Sequence, residues 1–418
     1  MAKIKEGRIM KKKIIMFTSI IFVLIIVLLA FELTNKYNSS SSNIPKVYLE
    51  GDINNMTTKK DEREVLLKYK SSDVNFEKYI KIKIQGTSSI AFEKKNYTIN
   101  FYKDNSYEQK EKVDVNFGWG EQSKYCLKAN WIDKTHARNI VAARITAKVQ
   151  EKYGLFTDTP HNGTIDGFPV EMYINGKFLG LYTWNIPKDA WMWNMDEENP
   201  NHMVLGGDDW TNSTLLAVGV DNFSDAGWDV EVGTETQEAR DNFNRLINFI
   251  NNSTNDEFIE NFDSYLNKDA SINYLILMQM MEAIDNGAKN MMMVTYDGNI
   301  WYPSLYDLDS TFGTNPSGVT YSSYETDTVN INARLWNKML ICFPNEIADR
   351  YFELRQDILT KENILREFNS FIDEIPESTY KKESKRWGEI PGYGIDQIEE
   401  FLNVRIPYLD NIMNNIKQ

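Results

Sequence analysis

Three aspartates and an asparagine, Asp285, Asn290, Asp307 and Asp309, stand among apolar, strand-forming neighbours in MEAIDNGAKNMMMVTYDGNIWYPSLYDLDSTFG, residues 281–313. Acids are expensive to bury in such company unless something positive compensates them. The chain has only three histidines and two cysteines, and neither C-x-x-C nor H-E-x-x-H spacing occurs. That argues against zinc and for a hard cation held by oxygen, such as Mg²⁺, Mn²⁺ or Ca²⁺. The order of the residues adds a second clue: an acid, an amide five residues on, a hairpin turned at Asp297-Gly298, then an acid at a strand end. Phosphoryl-transfer sites of the protein-kinase type use that order. The first acid orients or deprotonates an acceptor hydroxyl, while the amide and the later acid hold Mg²⁺ against the nucleotide phosphates. Any one of these residues serves equally well as a hairpin cap or turn, so the reading rests on the set.

Such a set needs elements to position it. ASINYLILMQMMEAID reads as a long apolar helix that delivers Asp285 at its C-terminal end. NMMMVTY and NIWYPSLYD read as the two strands of the following hairpin. Upstream, EKYIKIKIQG alternates Ile80, Ile82 and Ile84 with lysines, and KKNYTINFYK alternates through Tyr97, Ile99 and Phe101; both are half-buried strands. The turn between them, with Gly86, Thr87, Ser88 and Ser89, can present backbone N–H groups to phosphate. Lys94 or Lys95, opening the next strand, can reach phosphate oxygens as a point charge. DKTHARNIVAARITAKVQEKYG reads as a helix capped at Asp133 or Thr135 and closed by Gly154. PVEMYINGKFLGLYTW is a hairpin turned at Asn175-Gly176. ETQEARDNFNRLINFIN and NDEFIENFDSYLN are helical, and helices continue beyond Leu335. The body is therefore α+β, with a β-rich N-terminal part and a mainly helical C-terminal part.

Of the 418 residues, 42% are apolar and 13% aromatic, enough for a large core. The net charge is −14, although the first thirteen residues carry six basic groups and one acid, leaving −19 on the rest. An acidic body without a basic stripe repels nucleic acid. Ile14 to Phe31 is an uncharged run of eighteen residues, long enough to cross a bilayer. The basic residues before it should stay in the cytoplasm and place the body outside; a cleaved signal peptide would give the same sidedness. The expected organisation is a basic tail over 1–13, a single transmembrane anchor over 14–33, a polar, serine-rich linker over 34–45, and one catalytic-type unit over 46–418. Cys126 and Cys342 are expected to be buried free thiols.

IKIQGTSS followed by KKNYTINF, LKANWIDKTHARN, VEMYINGKFLGLYTW, and the pairing of Asp285 and Asn290 with YDLDSTFG together resemble the CotH kinase family, the spore-coat protein H-like atypical kinases. The resemblance covers about residues 80 to 315. It implies a divergent protein-kinase-like fold and transfer of the γ-phosphate of ATP to Ser/Thr of proteins with Mg²⁺ or Mn²⁺. It also implies Asp285 as catalytic aspartate, Asn290 as metal ligand, Asp307 as the principal metal-binding acid and Asp309 as a further acid of the metal site. Lys95, with Lys94 close behind, would bind phosphate beside Gly86, Ser88 and Ser89. Asn185 stands where the family has an acidic residue facing the nucleoside. Arg138 and Asn139 look like family positions without a derived role.

Two other functions fit parts of the chain. Asp307 to Thr311 matches D-x-D-x-T, the signature of Mg²⁺-dependent aspartyl-phosphate phosphatases. Trp191, Trp193 and Trp210 could form a stacking platform for glycan on a non-catalytic envelope protein.

Overall fold

The computed structural model describes residues 44–329, 332–389 and 394–417. The apolar run over 14–31 and the linker up to residue 43 lie outside the described residues. Among the described residues no helix is long and apolar enough to cross a membrane.

The N-terminal part is a closed barrel of seven strands: β1 (Lys46–Glu50), β2 (Glu62–Lys70), β3 (Asn75–Gln85), β4 (Asn96–Tyr102), β5 (Lys124–Lys128), β6 (Gly167–Ile174) and β7 (Lys177–Asn185). The strands run in the order β1-β2-β3-β4-β5-β7-β6, and the barrel closes through a parallel β1–β6 pair. Closure removes the exposed edges that an open sheet would leave. The period-two pattern sets the register: Ile80 faces Phe101 and Ile82 faces Ile99 across β3 and β4. All four of these residues are fully buried. Trp184 fills the centre, with Tyr125, Tyr69, Phe101 and Phe168 within 6.3 Å between ring centroids. The β6–β7 turn is the one expected. Asn175 (φ 47°) and Gly176 (φ 77°) both adopt the left-handed conformation that a two-residue hairpin of this twist requires.

The helix inserted between β5 and β6, α1 (Arg138–Lys152), begins later than the sequence suggests. Asp133 does serve its N-terminus, accepting from the Arg138 backbone N–H at 2.8 Å, but it does so from a loop five residues upstream. The expected C-terminal stop is correct, since Gly154 follows in the left-handed conformation.

A second, antiparallel sheet comprises β8 (Met203–Gly207), β9 (Trp228–Val232), β10 (Met291–Thr295) and β11 (Tyr302–Leu305), in the order β11-β10-β8-β9. The helices of this part are α2 (Gln237–Asn252), α3 (Asn255–Asn261), α4 (Lys268–Met280), which packs on β11, α5 (Arg334–Cys342), α6 (Pro344–Leu354), α7 (Lys361–Asp373), α8 (Glu377–Trp387), which packs on β7, and α9 (Ile395–Ile416). Helix α4 is buried on every side from Ala270 to Met280, as its continuous apolar sequence demands. It is shorter than expected. The chain leaves the helix at Met281, and Glu282 is left-handed (φ 51°). Asp285 therefore sits in a separate 3-10 turn, Ile284–Gly287, rather than at the helix end. Cys126 and Cys342 are both buried and unpaired.

A buried ion pair ties the helical part to the barrel. Lys94 Nζ donates to Glu383 Oε1 of α8 at 2.7 Å, and Glu383 Oε2 accepts from the Leu181 backbone N–H of β7 at 2.6 Å. Burial pulls Lys94 down to about 8 despite the carboxylate beside it. Removing one partner of such a pair leaves a charge stranded in the interior. Glu383→Ala should therefore lower unfolding free energy by about 3–5 kcal/mol, while Lys94→Met/Glu383→Leu should cost markedly less. Urea denaturation of the three variants checks this, and equal losses would contradict it.

Candidate active site

The segments that carry the carboxylates are tied together by hydrogen bonds from backbone and asparagine side-chain groups. Phe312 N–H donates to the Met281 carbonyl at 2.7 Å, joining the D-L-D-S-T-F turn to the end of α4. Asn286 Nδ2 donates to the Tyr306 and Asn290 carbonyls at 2.9 and 3.2 Å, stapling the loop that carries Asp285 to the strand end that precedes Asp307. Asn290 N–H donates to the Gly207 carbonyl at 2.8 Å. Between the two acids, Leu308 N–H donates to Asn139 Oδ1 at 3.0 Å, so the first turn of α1 fixes the position of the acid loop. Arg138 in turn pairs with Asp133 and donates to Gln397 of α9 at 2.6 Å. This network is the role that sequence reasoning could not derive for Arg138 and Asn139.

The backbone here is strained. Glu282, Asn290 and Asp307 all have positive φ, at 51°, 60° and 55°. Non-glycine residues hold such conformations only where their surroundings enforce them, and they concentrate at functional sites.

A narrow cleft lies between the barrel and the acid loop, lined by Ser89, Lys94, Lys128, Asn130, Asn139 and Asp309 among others. Its free volume is about 20 Å³, room for one or two water molecules. Lys128, the last residue of β5, reaches to 3.8 Å from Asp307. Burial pushes the Asp309 carboxyl above the usual range, the neighbouring Asp307 charge adds to this, and Lys128 opposes it. Burial likewise raises Asp285, with Lys289 opposing and Asp307 adding. The three aspartates thus share one electrostatic environment, with Lys128 beside Asp307 and Asp309 and Lys289 acting on Asp285.

The other expected residues divide. Ser89 and Lys94 reach the cleft, but the Lys94 ammonium is already engaged by Glu383, by the Ala129 carbonyl at 2.9 Å and by the Leu181 carbonyl. Lys95 turns back on its own loop, donating to the Ile90 carbonyl at 2.7 Å and to the Phe92 carbonyl. Gly86 is a glycine by necessity: at φ 112° an added Cβ would stand 1.9 Å from Ser89 Oγ. The Ser88 side chain lies outside what is described. Asn185 is fully buried at the end of β7, against Gly167 and Ile140, and is not among the residues lining the cleft. Neither end of its amide finds a partner among the described residues. Lys128 was missed because KYCLK is too short to read as a strand on its own. The signal was present in L-K-A-N-W, where a lysine ends an apolar segment.

Among the described residues no three His, Cys, Asp or Glu side chains converge closely enough to cage a metal. The donor set nonetheless suits Mg²⁺ or Mn²⁺ bound with nucleotide. Such ions take one or two carboxylates from protein and complete their shell with phosphate oxygens and water.

The chain belongs to the CotH kinase protein family, whose model matches residues 82–409. The match runs well past residue 315, so the C-terminal helices, including the one carrying Glu383, are part of the family unit. No curated protein matches the chain.

Burial and the neighbouring Asp307 charge make an ionised Asp309 costly to the fold. Asp309→Asn should stabilise the metal-free protein by roughly 1 kcal/mol, a rise in Tm of about 1–3 °C by calorimetry in EDTA. A fall of that size would mean that Asp309 is structural.

Proposed function

We propose that the protein is an atypical protein kinase that transfers the γ-phosphate of ATP to Ser/Thr hydroxyls of envelope or spore-coat-type proteins. The observation that carries the reading is that Lys128 and Asp309 line one cleft, that Lys128 lies 3.8 Å from Asp307, and that the charges of Asp285, Asp307 and Asp309 act on one another. Asp285 stands on its own turn, half-buried, and burial makes its carboxylate a better proton acceptor than a solvated aspartate. In the reaction the acceptor oxygen bonds to the γ-phosphorus as the bond to the ADP oxygen breaks, and Asp285 takes the hydroxyl proton. Asp307 and Asn290 would hold a divalent cation, with Asp309 as a further acid; that ion neutralises charge on the phosphates. The Gly86–Ser89 turn faces the same cleft through Ser89 and offers N–H groups to phosphate. An uncleaved anchor over residues 14–33 would hold this domain on the outer face of the membrane.

The two alternatives find less support. D-x-D-x-T phosphatases carry the motif on a strand of a parallel sheet, whereas β11 is an antiparallel edge strand. Of the tryptophans proposed as a glycan platform, Trp193 is fully buried and Trp191 packs edge-on to Tyr125 at 6.0 Å. Trp210 alone of the three is exposed.

The test is incubation of the full chain with γ-labelled ATP and Mn²⁺ or Mg²⁺, following label on itself and on envelope proteins. Asp285→Asn should reduce transfer by about 10²–10⁴-fold while leaving nucleotide affinity within about threefold. Asp307→Asn should abolish cation-dependent nucleotide binding in calorimetry. Undiminished transfer by Asp285→Asn would remove the assigned base, and unchanged Mn·ATP affinity in Asp307→Asn would remove the assigned metal ligand.

A further inference from the structure

The lysines around the cleft are not equivalent. An ammonium has three donors, and Lys94 uses its three on Glu383, Ala129 and Leu181 while lying 4.4 Å from the centre of the Tyr182 ring. Lys95 is held by two carbonyls of its own loop. Lys128 differs from both. Among the described residues it makes no hydrogen bond, and its one ion pair is the 3.8 Å approach to Asp307. Its side chain is only 12% exposed, so it cannot relax into solvent. It also shares the cleft wall with Asp309, Asn139 and Ser89. An ammonium on a flexible four-carbon stem, close to two carboxylates yet bonded to neither, is positioned where a divalent cation would otherwise balance the same charge.

We propose that Lys128 is an exchangeable counter-ion: its ammonium balances Asp307 and Asp309 in place of a divalent cation, and passes to the phosphate oxygens when cation and nucleotide enter together. The proposal rests on the cleft being the metal–nucleotide site and adds an order to its filling. A divalent cation arriving alone meets a like charge that has no alternative partner. One arriving with a nucleotide brings the phosphates that take up the lysine. The empty cleft therefore discriminates against free cation and for the cation–nucleotide complex. Lys94, by contrast, is a structural residue that anchors α8 to the barrel.

The experiment measures two affinities on the full-length protein and its Lys128→Met variant: Mn²⁺ alone, by loss of the free-ion electron paramagnetic resonance signal, and a non-hydrolysable ATP analogue at saturating Mn²⁺, by calorimetry. The expected changes are opposite in sign. Mn²⁺ alone should bind at least about tenfold more tightly to Lys128→Met, and the nucleotide at least about tenfold more weakly. A purely structural lysine would weaken both. Unchanged or weakened Mn²⁺ binding in the variant overturns the counter-ion role, and unchanged nucleotide binding overturns the phosphate role. Failure of the wild-type protein to bind either ligand would instead refute the assignment of the cleft itself. Lys128→Gln, which removes the charge but keeps a polar side chain, supplies the same pair of measurements should the methionine variant not fold.

Discussion

Carboxylates that are half-buried within reach of one another's charge repel, and the surrounding contacts hold Asp285, Asp307 and Asp309 in that arrangement. Nothing in the local sequence favours the approach of Asp285, Asp307 and Asp309, since burial and mutual charge raise the pKa of both Asp285 and Asp309. The approach is imposed from outside. A fully buried helix, α4, ends in a hydrogen bond to the turn after Asp309, Asn286 staples the intervening loop, and Asn139 holds the peptide between the two later acids. Each of these contacts joins segments far apart in the chain, so the crowding persists only while the whole fold is intact. A bound cation would relieve such crowding, which is the physical basis of the metal-site reading proposed above.

The barrel contributes a division of labour among its lysines. Lys94, two residues before β4, and Lys128, at the end of β5, both reach the cleft, yet one is locked into the Glu383 pair and the other has only the 3.8 Å approach to Asp307. The first lysine fastens the C-terminal helices to the barrel, and the second faces Asp307 in the cleft wall. A chain that lost its last helices would lose Glu383 as well, which agrees with the family match extending to residue 409.

Much of this was legible in the sequence because it was local. The alternation in IKIKIQG, the Asn175-Gly176 turn and the spacing of the four polar residues around the Asp297-Gly298 hairpin each encode their own geometry. Closure of the barrel through β1 and β6, and the joining of β8 and β9 to the β10–β11 hairpin, depend on partners more than eighty residues away for which no periodicity exists. The same limit applied to the lysines. Lys94 and Lys95 are adjacent and look alike as letters, but the partner that decides between them, Glu383, lies 289 residues from Lys94. Asp285 was placed on the end of a helix because the apolar run continues to it. The left-handed turn at Glu282 stops the helix at Met280, five residues earlier.

Diffraction at the manganese edge, from crystals grown with Mn²⁺ and a non-hydrolysable ATP analogue, shows whether these acids grip a divalent ion that carries a nucleotide. An anomalous peak is expected beside the cleft at about 2.0–2.2 Å from an Asp307 oxygen, with the phosphates on its other side and Lys128 withdrawn from Asp307. Bound nucleotide with manganese elsewhere, and Lys128 still paired to Asp307, would contradict that role for the acids.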